Sequence, residues 1–226
     1  MQNLLQDLKS CNAVSFKVIL TLNIPEQLPF DPAAFPFPVR VLRNAAPRGF
    51  GANHNAAFAA SEERFFCVLN PDIRLPLDPF PALLSKLENP AIAAAAPLIR
   101  NPSGDIEDHA RPFPTLPSLV LKLLKKEEAI GKSSSPFTPD WIAGMFMLFR
   151  REAFAAAGGF DEGYFMYYED VDLCARLRAA GMRVEVSPAA SAVHDARRSS
   201  RRNPRHMLWH ACSMARFLFK RWMRKA

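Results

Sequence analysis

No stretch of this 226-residue chain stays apolar for the roughly 18–20 residues that a bilayer-spanning helix needs. The longest apolar runs, residues 91–99 and 141–149, read instead as buried strands. There is no C-x-x-C pair. The four cysteines (Cys11, Cys67, Cys174 and Cys212) are scattered, so buried free thiols in a reducing compartment are the expectation. The amino terminus, Met1-Gln2-Asn3-Leu4-Leu5, lacks the basic-then-apolar layout of a secretory signal, and a cytoplasmic location is expected. Internal repeats are also absent. What remains is ordinary for a folded domain: 49% hydrophobic and 23% charged residues, which predict a packed core and exclude wholesale disorder.

The formal charge of +7 is unevenly spread. From Asp195 to the end there are ten Lys or Arg against one Asp, a surplus of nine, which leaves about −2 for the rest. Two regions follow: a folded domain over 1–195 and a basic helical tail over 196–226. Within the first, strands are predicted at 14–22, 39–42, 64–69, 92–98, 141–150 and 183–187. Helices are predicted at 1–10, 52–60, 80–87, 120–129, 151–157 and 170–180, with a Ser/Pro linker at 132–139. This alternation predicts an α/β sandwich with a mainly parallel sheet between helices.

Three features carry chemistry. The apolar run 64–69 stops at Asn70-Pro71-Asp72, which places a carboxylate at the carboxyl end of a strand, the edge where open α/β sheets bind ligands. Proline holds the two flanking side chains in a turn, and one Asp there suits a metal–diphosphate site. The alternative is a plain turn signal. Second, Asp161, Glu162, Glu169, Asp170 and Asp172 fall within twelve residues, interleaved with Tyr164, Phe165, Met166, Tyr167 and Tyr168. Aromatic surroundings raise a carboxylate's pKa, as a general base working near neutral pH requires. The alternative is helix capping by Glu169 or Asp170, with Asp172 pairing to Arg176 at i,i+4. Third, His194 closes a small apolar stretch; it reads either as a hydrogen-bonding histidine or as a ligand for a transition metal.

These segments together resemble the bacterial family 2 glycosyltransferases, in particular a rhamnosyltransferase-like branch with the GT-A (Rossmann-like) fold. The resemblance rests on residues 44–55 (NAAPRGFGANHN), Val68-Leu69-Asn70-Pro71-Asp72, Trp141-Ile142-Ala143-Gly144, Arg150–Phe154, Gly158–Glu162 and residues 165–177 (FMYYEDVDLCARL). It implies inverting transfer of a sugar, such as rhamnose, from a nucleotide-sugar to a hydroxyl of a glycan or lipid-linked acceptor in cell-surface polysaccharide synthesis. It implies Asp170 as the base, with Glu169 beside it. Asp72 and His194 become ligands of Mn²⁺ or Mg²⁺. Asn44, Gly49, Asn55, Asn70 and Asp72 are placed on the donor side, and Trp141 and Gly144 by the acceptor. Against that family pattern, residues 1–10 look like the helix that follows the first strand and residues 14–22 like the second strand, so the usual first strand is expected to be missing. The same departure motivates the competing reading, a catalytically inactive relative that binds a partner or a membrane.

The tail shows Leu208, Ala211, Ala215, Leu218 and Trp222 at helical spacing, rimmed by Arg216, Lys220, Arg221, Arg224 and Lys225. Such a helix can lie on an anionic leaflet, which would put the protein peripherally at the inner face of the plasma membrane, or dock on the catalytic domain. Nucleic-acid binding is not expected, because no base-reading module accompanies the arginines.

Overall fold

The computed structural model describes residues 1–115, 138–194 and 204–223. The helix predicted at 120–129, most of the linker at 132–139 and the arginine run at 197–202 lie outside these residues.

Helix α1 (Gln2–Leu8) buries Leu4, Leu5 and Leu8, the stripe its spacing predicts. Two parallel strands follow, β1 (Val18–Leu22) and β2 (Val39–Arg43). Helix α2 (Phe50–Ala59) leads into β3 (Phe65–Leu69), and a two-residue strand β4 (Ile73–Arg74) comes just after the Asn-Pro-Asp turn. Then come α3 (Phe80–Leu87), β5 (Ile92–Arg100), β6 (Ala110–Arg111), β7 (Trp141–Ile142) and β8 (Phe146–Arg150). The remaining elements are α4 (Arg151–Ala156), α5 (Glu169–Ala179), β9 (Arg183–His194) and α6 (Pro204–Met223).

The central sheet has the order β3-β8-β5-β9-β4. Strand β5 is buried along all but its last residue, as a continuous apolar run should be when both faces are covered. Neighbouring positions divide between two cores. Ala94, Ala96, Met147 and Phe149 face one with Phe154, Leu173 and Leu177. Ala95, Phe146 and Leu148 face the other with α1 and α3. The α/β sandwich is therefore as predicted. The sheet itself is mixed rather than mainly parallel: only β5–β9 runs parallel, while β3–β8, β8–β5 and β9–β4 are antiparallel. A strand buried on both faces presents the same apolar run in either direction, so its sense is not encoded in hydropathy.

Two boundaries also differ. The strand predicted at 141–150 is broken at residues 143–145, which turn out of the sheet toward neighbouring loops. The last strand does not stop at Ser187. It runs to His194, with a register shift against β5 between Pro97 and Leu98. Proline lacks a ladder donor, and the irregularity gives both Pro97 and Pro188 a place where none is required.

Candidate active site

The Asn-Pro-Asp turn is fixed by backbone bonds. The Asn70 N–H donates to the Met145 carbonyl at 2.9 Å, and the Ile73 N–H donates to the Asn70 carbonyl at 3.2 Å. Ile73 then pairs with His194, so the strand ladder brings the imidazole beside Asp72. His194 Nε2 lies 3.4 Å from Asp72 Oδ2, and Nδ1 lies 2.8 Å from Glu107 Oε2. Two carboxylates push His194 up to about 9, Asp72 contributing first. The His194 contact in turn holds Asp72 below the usual carboxylate range. The Asp72 side chain is 43% exposed and therefore open to a ligand.

The acid pair opens α5. Tyr167 and Tyr168 precede it with φ of 71° and 65°, a left-handed pair that is uncommon for aromatic residues and costs on the order of 1–3 kcal/mol each. Asp170 accepts from the Gly144 N–H on Oδ2 and from the Val171 N–H on Oδ1, both at 2.8 Å. Glu169 is buried, and its Oε2 has no hydrogen-bond partner. Burial, followed by the neighbouring Asp170 charge, pushes Glu169 up to about 8. Burial raises Asp170 as well, but its two N–H donors oppose that rise. Asp170 thus has two N–H donors where Glu169 Oε2 has no partner, and Glu169 keeps its proton at neutral pH.

That arrangement has a pH consequence. Glu169 holds a proton in the folded state that the unfolded chain, at its ordinary 4.5, has already released. Its contribution to stability is therefore fullest below 4.5 and is lost as pH rises through 8. Glu169→Gln is expected to flatten the fall in melting temperature between these pH values relative to the unaltered chain. Thermal scans in matched buffers measure it, and parallel curves for the two proteins would refute the assignment.

Of the remaining expected site residues, Gly49 and Gly144 lie against the acid loop beside Phe50. The Phe50 N–H donates to the Phe165 carbonyl at 2.9 Å, and a Cβ on Gly49 would come within 2.7 Å of that same oxygen. A Cβ on Gly144 would meet the Phe50 ring at 3.2 Å and Asp170 Cβ at 3.6 Å. Asn44 joins a side-chain network, donating to Asn23 Oδ1 at 2.9 Å and Asn53 Oδ1 at 2.7 Å. Asn55 is differently engaged: its amide clasps both the N–H and the carbonyl of Phe160 and also donates to Glu162. Trp141 donates to the Pro112 carbonyl at 3.0 Å with Arg111 over its ring.

Residues 143–145 tie these pieces together. Gly144 binds Asp170 while Met145 binds Asn70, so the two acidic segments hang from one turn. Sequence reasoning missed Glu107, which lies in a polar, proline-containing stretch 87 positions from its partner His194. It also missed Arg111, whose charge reaches Asp170. The i,i+4 reading of Asp172 with Arg176 is correct, at 2.7 Å.

The tail also meets this loop. On α6 the buried positions are Ser213 and Phe217 rather than the stripe from Leu208 to Trp222, and both Leu208 and Trp222 are 63% exposed. Ser213 Oγ donates to the Met166 carbonyl at 2.8 Å, and His206 Nδ1 lies 2.8 Å from the Tyr167 hydroxyl. Lys220 bridges Asp161 and buried Asp172 at 2.7 and 2.6 Å. Burial disfavours the Asp161 charge, but Lys220, the Gly163 N–H and Arg216 overrule it and hold the carboxyl far below its ordinary range. Docking on the domain is thus observed, and charge pairing selects the face that docks.

An α/β sandwich whose sheet edge carries an acidic turn and a buried acid pair on one connecting loop has the layout of a GT-A sugar transferase. Residues 27–158 match the family described as "Glycosyl transferase family 2", and residues 129–198 match "N-terminal domain of galactosyltransferase". The chain is 35% identical to Rhamnosyltransferase WbbL of Escherichia coli (strain K12) over 187 residues, 76% of this chain and 71% of that protein. It is 33% identical to the N-acetylglucosaminyl-diphospho-decaprenol L-rhamnosyltransferase of Mycobacterium tuberculosis (strain ATCC 25618 / H37Rv), over 81% of this chain and 67% of that protein. Among solved structures it resembles the mannosyltransferase PcManGT from Pyrobaculum calidifontis, in complex with GDP-Man and Mn²⁺. That match has a TM-score of 0.51 and 17% identity, and covers 80% of this chain but only 47% of the other. The chain belongs to glycosyl transferase family 2.

Proposed function

We propose that this protein transfers a sugar, with rhamnose the leading candidate, from a nucleotide-sugar to a hydroxyl of a glycan or lipid-linked acceptor during cell-surface polysaccharide synthesis, with inversion at the anomeric carbon. The observation that carries the reading is the turn at 143–145, from which both Asp170 and the Asn70–Asp72 segment are held. In this reading Asp170 takes the proton of the acceptor hydroxyl, whose oxygen bonds to the anomeric carbon as the nucleoside diphosphate departs from the opposite face. Glu169 stays protonated and keeps the second charge out of the pocket. Gly49 and Gly144 leave room for backbone approach, and Asn44 with Asn70 lines the donor side. Asn55 supports that side by fixing the Phe160 loop, and Trp141 borders the acceptor.

The donor set suits a divalent cation. Asp72 offers a solvent-facing carboxylate and His194 an imidazole nitrogen directed at it. The other ring nitrogen is tied to Glu107, the carboxylate–histidine arrangement that orients a metal-binding imidazole. Mn²⁺ or Mg²⁺ held by Asp72 and His194 would displace the proton that the two carboxylates keep on the imidazole, and would offset charge on the diphosphate. Among the described residues no group of three or more His, Cys, Asp or Glu is laid out for an ion, so phosphate oxygens and water would complete the coordination. Glu107→Gln is expected to weaken Mn²⁺ binding in the presence of UDP or dTDP by about 10–100-fold. Calorimetry measures this, and unchanged affinity would remove Glu107 from the site.

We keep the catalytic unit at 1–195 and the tail at 196–226, and assign the tail a second task. With Ser213 and Phe217 turned inward, Leu208, Phe219 and Trp222 face outward, an apolar surface suited to resting on a leaflet. No helix among the described residues is long and apolar enough to cross a membrane. The chain is expected to co-sediment with phosphatidylglycerol vesicles, and Leu208→Glu with Trp222→Glu to leave it in the supernatant. Co-sedimentation of the double variant would exclude this role.

The deciding experiment for the activity is mass spectrometry of products from a panel of nucleotide-sugars with Mn²⁺. Absence of both donor binding and nucleotide release across the panel would overturn the reading in favour of a non-catalytic relative.

A further inference from the structure

Residues 165–168 lead into the acid pair, and each of the four meets α6. The Phe165 ring lies 4.8 Å from that of Trp209. Ser213 Oγ donates to the Met166 carbonyl, and His206 Nδ1 lies against the Tyr167 hydroxyl, both at 2.8 Å. The Tyr168 ring is 5.3 Å from that of His210 and 5.7 Å from that of Phe217. Positions 206, 209, 210, 213 and 217 follow an i, i+3, i+4, i+7, i+11 spacing, which puts them on one face of the helix.

That face is aimed from outside the segment. Further along α6, Arg216 and Lys220 pair with Asp161 and Lys220 also with Asp172, so the helix is anchored apart from its loop contacts. Gly163 makes room for the anchor, since a Cβ there would collide with the Arg216 guanidinium. The backbone under the face is strained: Tyr167 and Tyr168 both have positive φ, which bulky residues hold only where their surroundings impose it. The domain fixes the two ends of the segment. The Phe50 N–H donates to the Phe165 carbonyl and the Asp172 N–H to the Tyr168 carbonyl, both at 2.9 Å. Between those ends, Met166 and Tyr167 are bonded to α6.

We infer that Ser213 and His206 are positioning residues for the base. Through the Met166 carbonyl and the Tyr167 hydroxyl they hold the left-handed tyrosine pair, and so set how Asp170 meets the turn at 143–145. The inference rests on the reading of Asp170 as the base. Asp170 stands two residues beyond Tyr168 and reaches the turn through the Gly144 N–H at 2.8 Å. A change of φ at either tyrosine would swing the first turn of α5 and take the carboxylate off that bond. A displacement of about 1 Å at a reacting group can cost on the order of 100-fold in rate. The tail helix therefore completes the catalytic geometry from outside the sandwich, whatever its outer face rests on.

The test uses the whole chain with Ser213→Ala and His206→Phe, which remove one bond each and leave Arg216, Phe217 and Lys220 to keep α6 docked. Cys212→Ser, at an exposed cysteine beside Ser213, is the control and is expected to behave as the unaltered chain. With the donor that the nucleotide-sugar panel identifies, each variant is expected to lower kcat by about tenfold, and the two together by about 100-fold. The donor KM is expected to stay within about threefold, because the Asp72 segment is untouched. Tyr167→Phe should match His206→Phe and add little to it, since both cut the same bond. Amide exchange gives a readout without turnover. Gly144 and Val171, whose N–H groups bind Asp170, should exchange about tenfold faster in both variants, with residues 94–96 of β5 unchanged. Unchanged exchange at Gly144 and Val171 would overturn the inference whether or not the chain transfers sugar. A kcat within about twofold of the unaltered value would overturn it too, and so would a rise in donor KM that accounts for the whole loss. If the unaltered chain transfers no sugar to any acceptor, the proposed function falls, and exchange still decides whether α6 holds the acid segment.

Discussion

Asp170→Asn is expected to lower sugar transfer by about 10²–10⁴-fold, the usual contribution of a positioned general base. The substitution is nearly isosteric. The Gly144 and Val171 N–H groups bind different oxygens of the carboxylate, so the single amide oxygen can keep the Gly144 bond that holds the turn at 143–145 only by giving up the one to Val171. Removing the buried Asp170 charge ends its desolvation, while Glu169, already protonated, has no repulsion to shed. The lost N–H bond and the removed buried charge oppose each other, so folding stability is expected to change little while turnover collapses. Donor binding, measured by calorimetry with Mn²⁺, is expected to change by less than about threefold, since the proposed ground-state contacts to the diphosphate lie with Asp72 rather than Asp170. A variant that keeps more than a tenth of the activity would remove Asp170 from the base role. One that loses donor binding in parallel would instead make the acid pair part of the donor site. Glu169→Gln separates the two carboxyls further. A group that is already protonated at pH 7 can be replaced by an amide at modest cost, whereas a base cannot.

How much of this could be read from residues alone differs from segment to segment. Asn70-Pro71-Asp72 was legible because a strand must end where proline follows an apolar run, and the sheet's carboxyl edge is where that end falls. The acid pair was legible from its aromatic interleaving. What the sequence did not contain was the partner of His194. Glu107 reaches it only because β9 continues past Pro188 to place the imidazole opposite Ile73. No local pattern reports a register irregularity two strands away. Strand sense was equally silent, since the run at 146–150 is apolar whichever way it points. The tail shows a third kind of gap. Its most hydrophobic stripe suggested the docking face, yet the helix turns Ser213 and Phe217 inward instead. Asp161 and Asp172 lie under that face and demand cations, and Lys220 and Arg216 provide them. Charge complementarity between segments about 50 residues apart overrode periodicity within one.

The largest effect on stability is expected from Arg176→Met. The Arg176 guanidinium serves three acceptors at once: Asp172 Oδ2 through Nε at 2.7 Å, the Gly159 carbonyl at 2.7 Å, and the Ala157 carbonyl. Those carbonyls flank Gly158 and Gly159, both at positive φ, where the chain reverses after α4. Asp172 is 1% exposed, so when Arg176 is cut away its Oδ2 has no recourse to solvent and only Oδ1 keeps a partner, Lys220. Losing one member of such a buried pair costs about 3–5 kcal/mol. At roughly 2–4 °C per kcal/mol for a chain of this size, the melting temperature should fall by about 10 °C. Lys220→Met removes the other contact to Asp172, but its side chain is 25% exposed, and a smaller loss of about 1–3 kcal/mol is expected. Arg176→Lys should recover little, because an ammonium cannot span three acceptors set around a planar fork. The two positions share Asp172 and are expected to be non-additive in a double-mutant cycle, by about 1 kcal/mol or more. Below its lowered melting point the Arg176→Met protein should still turn over, because the Gly144–Asp170 bond lies on the first turn of α5 while Arg176 anchors the second. A loss under 1 kcal/mol would mean that water replaces the guanidinium, and that the reversal at Gly158-Gly159 stands without it.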